Sequence, residues 1–121
     1  MLVNFTSKIV KMKPLIFGTI KSLARRANPP QVLYKVELLD ITSAAAPVQS
    51  VFEKQIQVEQ YREPTYFNLS LEPGMFDMNP LGHYLLRVQA IYEGNREVRI
   101  DTAFQEIDIQ QQTKVDLCFE F

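Results

Sequence analysis

The chain has 121 residues, with 13 Lys and Arg against 14 Asp and Glu, and a net charge of −1 that argues against a general nucleic-acid binder. Its 46% hydrophobic and 22% charged residues are ordinary for a globular protein, so wholesale disorder is excluded and one domain over residues 1–121 is expected. The lone cysteine, Cys118, cannot close an internal disulfide. That suits the cytoplasm, and equally a periplasmic protein that needs no crosslink.

The charge is unevenly placed. Up to Val36 the charged residues are Lys8, Lys11, Lys13, Lys21, Arg25, Arg26 and Lys35, and the acids begin at Glu37. Two readings stand: a basic edge near anionic headgroups, or a solvated edge that resists sheet-to-sheet aggregation. No segment reaches the about 20 apolar residues of a membrane helix. Lys11 to Lys13 followed by an apolar run imitates a signal peptide, but Lys21 ends the run without a small-residue cleavage site. We expect either a cytosolic chain or a mature form whose export signal has been removed.

Residues 1–13 alternate loosely through Val3, Phe5, Ser7 and Ile9, as an edge strand or an appended tail would. Residues 14–23 form a better strand, in which Gly18 marks a bulge or a close backbone approach. Pro29-Pro30 closes a loop, since neither residue can donate to a ladder. Residues 31–59 then organise the chain as two long strands. Val32, Tyr34, Val36 and Leu38 share one face of the first, and Phe52, Ile56 and Val58 share one face of the second. The small-residue connection between them is too short for a helix that packs by itself.

Tyr61 to Pro64 is a turn, followed by a strand over 65–71 with Phe67, Leu69 and Leu71 on one face. Glu72-Pro73-Gly74 turns the chain by its chemistry, and residues 75–82 are irregular. The clearest strand covers 82–92, with Tyr84, Leu86, Val88, Ala90 and Tyr92 on one face and Arg87 and Gln89 on the other. A three-residue loop at Glu93-Gly94-Asn95 returns the chain through 96–100, then 102–109. After a polar turn at 110–113, the strand over 114–121 turns Val115, Leu117, Phe119 and Phe121 inward. Seven to eight strands without an amphipathic helix predict an all-β, antiparallel two-sheet β-sandwich.

Catalysis finds little support. His83 stands without a nucleophile motif, and a histidine at a strand edge is most often a surface residue. Cys118 lies between Asp116 and Glu120, whose charges disfavour a reactive thiolate. Asp40, Asp77 and Asp101 read as turn residues that satisfy backbone donors. No metal-ligand spacing and no phosphate-cradling loop is present, so neither a metal nor another cofactor is expected. The aromatic and methionine residues are more suggestive. Tyr61 and Tyr66 fall on or beside an outward strand face, and Met75, Phe76 and Met78 crowd the irregular stretch. These five are the candidate partner-binding residues, forming either an adaptable apolar groove or a lid on the core.

The order of several short motifs resembles a known family. They are Gly18-Thr19-Ile20, Pro29-Pro30, Val36-Glu37-Leu38-Leu39-Asp40-Ile41-Thr42, Ala44-Ala45-Ala46-Pro47 and Glu53-Lys54-Gln55-Ile56. Pro64-Thr65-Tyr66-Phe67-Asn68-Leu69, His83-Tyr84-Leu85-Leu86-Arg87-Val88 and Asp101-Thr102-Ala103-Phe104 follow. Together they cover about three quarters of the chain and resemble the YscW-type pilotins, lipoprotein chaperones of type III secretion systems. The resemblance implies a non-enzymatic, monomeric β-sandwich at the periplasmic face of the outer membrane. It further implies binding of the C-terminal segment of a secretin, the ring-forming outer-membrane channel, and delivery of that subunit for assembly. The acylated N-terminal cysteine of the family is absent from this sequence. A ligand- or glycan-binding periplasmic lipoprotein of the same fold is the alternative.

Overall fold

The computed structural model describes residues 15–23, 31–43, 47–70, 81–94 and 98–120. Seven strands run in chain order: β1 (Ile16–Leu23), β2 (Gln31–Asp40), β3 (Gln49–Val58), β4 (Thr65–Leu69), β5 (Tyr84–Glu93), β6 (Val98–Ile107) and β7 (Thr113–Glu120). They form a three-stranded sheet in the order β4-β1-β7 and a four-stranded sheet in the order β3-β2-β5-β6. The all-β sandwich expected from the sequence is therefore present. The eighth strand, expected within residues 1–13, lies outside the described residues.

Alternation builds the core. Val32, Tyr34, Val36 and Leu38 on β2, and Leu86, Val88 and Ala90 on β5, are at most 1% exposed. They face Ile16 and Ile20 on β1, Phe67 and Leu69 on β4, and Val115 and Phe119 on β7, all in one buried cluster. Residues two apart share a strand face, so each of these strands seals one side of the same interior. The Tyr34 and Phe119 rings stack across the two sheets with centroids 6.3 Å apart.

The structure departs from the sequence reading in four places. First, β1 pairs with β7 in parallel, from Ile16 opposite Thr113 to Leu23 opposite Glu120, whereas every pairing was expected to be antiparallel. The first strand is central in its sheet, and the last strand returns beside it after the chain has crossed to the other sheet. Second, β6 is one strand of ten residues instead of two shorter pieces. Third, Asp101 is not a turn residue, because it sits within β6 opposite Ala90. Fourth, β3 gains a bulge. Leu38 faces Phe52 but Leu39 faces Ser50, so Val51 is the extra residue, and both Val51 and Phe52 pack against the core.

Gly18 makes the close approach its sequence context predicts. A Cβ added there would lie 1.7 Å from the Val115 carbonyl oxygen, so β1 and β7 can meet at this point because Gly18 has no side chain. Asp40 behaves as a turn residue, accepting from the Thr42 backbone N–H at 2.9 Å through Oδ1. The expected turns before β4 and β7 are present too, closed by Glu63 N–H on the Gln60 carbonyl and Gln111 N–H on the Asp108 carbonyl, both at 3.1 Å.

Candidate interaction surfaces

Of the sequence-derived candidates, Tyr61 and Tyr66 fall among the described residues, and these two do not share a surface. Tyr61 is 5% exposed and belongs to the core cluster, which corrects the expectation that it lies on an outward face. Its backbone carbonyl accepts from the Ser22 N–H at 2.9 Å, and this fixes the turn against β1. Tyr66 is 82% exposed, opposite Thr19 on the outer face of the three-stranded sheet. Met75, Phe76 and Met78 lie outside the described residues.

Sequence reasoning missed the outer face of the four-stranded sheet. Register places Leu33, Ile91 and Ile100 in one transverse row across β2, β5 and β6. Four residues further along β2 on the same face, a second row runs Glu53, Glu37, Arg87 and Phe104 across all four strands. On β6, Val98, Ile100 and Phe104 are 66%, 53% and 57% exposed. Their core-side alternates include Arg99, Asp101 and Gln105, opposite the inward Tyr92, Ala90 and Leu86. The strand thus turns its apolar alternation to solvent and part of its polar set toward the sandwich rim. The signal was legible in Val98, Ile100 and Phe104, but alternation alone does not say which face is the core.

The charged row is built around a buried carboxylate. Glu37 is 3% exposed, and Arg87 Nη2 donates to both of its oxygens at 2.9 Å. Lys35 Nζ adds contacts of 3.6 Å to Glu37 and 3.7 Å to Glu53. Burial alone would raise the Glu37 pKa, but the Arg87 hydrogen bond and the Arg87 and Lys35 charges outweigh it and hold the carboxyl below its ordinary value. A polar row of Gln55, Lys35, Gln89 and Thr102 separates this charged row from the aliphatic row of Leu33, Ile91 and Ile100.

Other polar groups serve the fold. Ile41 N–H donates to the His83 carbonyl at 2.9 Å, and His83 N–H donates to Thr42 Oγ1 at 2.9 Å, so the histidine backbone extends the β2–β5 junction. An open recess of about 460 Å³ lies beside it, lined in part by Glu106 and Asp108. Among the described residues, no group of three or more His, Cys, Asp or Glu side chains is placed to hold a metal ion. Cys118 is exposed, in register with Lys21 across the β1–β7 pairing. The described surface carries an exposed aromatic, Tyr66, on one sheet and the exposed apolar residues of β6 on the other.

Two sheets of this order define a seven-stranded β-sandwich among the described residues. The chain belongs to the YscW family, described as type III secretion system lipoprotein chaperones, whose model matches residues 11–118. It is 30% identical over 115 residues to an uncharacterized lipoprotein, YbaY, of Escherichia coli strain K12; the match takes in 95% of this chain and 59% of that protein's length. A solved structure, that of an alternative pilotin from the type II secretion system of Vibrio cholerae, shares the fold. It superposes with a TM-score of 0.63 at 19% identity, covering 87% of this chain and 93% of the other.

Proposed function

We propose that this chain is a pilotin-like chaperone that binds the C-terminal segment of a secretin subunit and promotes the subunit's outer-membrane targeting and assembly in a type III secretion system. The family match over residues 11–118 carries this reading. A chaperone needs a binding surface and no reaction centre, which agrees with the exposed apolar side chains on the two sheets. The lipoprotein descriptions of the family and of the E. coli relative support a lipid-anchored precursor at the periplasmic face of the outer membrane. Tyr66, Met75, Phe76 and Met78 are our candidates for the partner contact, while the burial of Tyr61 removes it from the set.

Deleting the gene tests the reading in cells. Secretin multimers in the outer-membrane fraction should fall, and secretin monomers should accumulate. Unchanged multimers would contradict it. A second reading, a glycan-binding lipoprotein of the same fold, is favoured by the 82% exposure of Tyr66, whose ring is free to stack on a sugar. A glycan array on which Tyr66→Ala loses a saturable signal would select it.

A further inference from the structure

The edges of the two sheets differ in how they are protected. β3 carries the bulge at Val51 and an exposed, core-side Lys54 opposite Val36. β4 is five residues long. β7 exposes Lys114, Asp116 and Glu120, and its Glu120 carbonyl accepts from Arg99 Nη2 at 3.5 Å. Bulges, short strands and charges are the usual means by which edges avoid pairing.

β6 is guarded far less. It has ten residues, no proline, no lysine and no bulge in its register with β5. Its core-side charges neutralise each other, with Arg99 Nε donating to Asp101 Oδ1 at 3.3 Å. Among the described residues, no backbone–backbone hydrogen bond outside the β5–β6 ladder involves Val98–Ile107. In an edge strand, alternate N–H and C=O groups point away from the sheet, where either water or another extended chain can pair with them. The exposed Val98, Ile100 and Phe104 call for apolar partners on the outer face of that chain.

We propose that the strand pairing with this edge is β6 of a second copy, antiparallel about a two-fold axis, so that two four-stranded sheets continue as one. An isologous interface requires a surface complementary to itself. Charge and polarity select the register. An axis at Asp101 would set that carboxylate against itself, which is unfavourable for like charges directly opposed. An axis at Ala103 would oppose Ile100 to Glu106 and Thr102 to Phe104, apolar against polar. An axis at Ile100 would join Arg99 to Asp101 of the second copy but leave Phe104 beyond the paired length. An axis at Thr102 pairs β6 from Val98 to Glu106. It sets Ile100 against Phe104 of the second copy twice and Arg99 against Gln105, confines its apolar-against-polar pairing, Val98 with Glu106, to the ends of the paired length, and sets no like charges directly opposite. This dimer replaces the single copy expected from the sequence, and it stands independently of the secretin reading.

Cross-linking tests it directly. In a Cys118→Ser background, Thr102→Cys places two thiols across the axis, whereas Gln55→Cys exposes a thiol on the outer face of β3. Mild oxidation should produce the Thr102→Cys disulfide dimer about tenfold or more faster than the Gln55→Cys one. Sedimentation equilibrium should show a monomer–dimer equilibrium that Ile100→Lys abolishes without changing the thermal midpoint. Equal cross-linking rates, a monomer at high micromolar concentration, or open-ended polymers would each overturn the proposal. If Ile100→Lys unfolds, the cross-linking comparison decides alone.

Discussion

Ser22 Oγ on β1 lies 2.6 Å from Tyr34 OH on β2, a buried hydrogen bond that ties the three-stranded sheet to the four-stranded one. Tyr92 OH on β5 lies 3.3 Å from the same serine oxygen, so a hydroxyl from one sheet engages two from the other. Ser22 is 0% exposed, and its oxygen can donate to one tyrosine while accepting from the second.

Ser22→Ala is therefore more than the loss of one oxygen. It removes the buried Ser22 partner of the Tyr34 hydroxyl, a defect that costs about 1–3 kcal/mol. Chemical denaturation should show the loss. A change under about 0.5 kcal/mol would mean the hydroxyls are satisfied in another way.

The same cluster sets the alkaline limit. Burial, the largest cause, pushes the Tyr92 pKa up to about 12, against a smaller lowering by the Ser22 hydrogen bond. A tyrosine raised on folding adds stability that is complete below its unfolded value near 10 and lost as pH rises through the folded value. Stability should fall between about pH 10 and 12, and Tyr92→Phe should flatten that fall. An identical alkaline profile in the variant would remove Tyr92 from the account.

Gly18→Ala tests the parallel pairing of β1 with β7. The new methyl would meet the Val115 carbonyl oxygen at 1.7 Å, and backbone cannot yield as a flexible side chain can. We expect a loss of about 3 kcal/mol or more, read by thermal melting. A stable Gly18→Ala protein would place β7 elsewhere.

How far the sequence discloses this molecule depends on which physical signal is local. The faces of β2 and β5 follow from strict alternation, and Gly18 and Asp40 from their own stereochemistry. Two features were hidden for definite reasons. Parallel pairing of β1 with β7 is a relation between the ends of the chain, which no window of residues contains. The outward apolar face of β6 has the same period as an inward one, and its direction is set by the register with β5. Tyr61 misled because its place just ahead of the strand over 65–71 put it beside that strand's outward face, while the turn buries it in the core.

Glu37 gives the acid limb. Its pKa is held below the ordinary carboxylate value, because Arg87 and Lys35 outweigh the burial that would raise it. Such a group contributes stability above its unfolded pKa and loses it as pH falls through the folded one. Glu37→Gln should weaken the protein at neutral pH by about 2 kcal/mol and make its acid unfolding shallower below about pH 4. Equal acid dependence in both proteins would mean the Arg87 pair is not formed in solution.

The central claim is that this sandwich holds a segment of a secretin, and calorimetric titration against the C-terminal segment of the cognate secretin measures it most directly. We predict saturable binding of micromolar affinity or tighter, about 8 kcal/mol or more, lost when Phe76 and Met78 are both changed to Ser in a protein that still melts normally. A folded domain that takes up none of the segment would contradict the account.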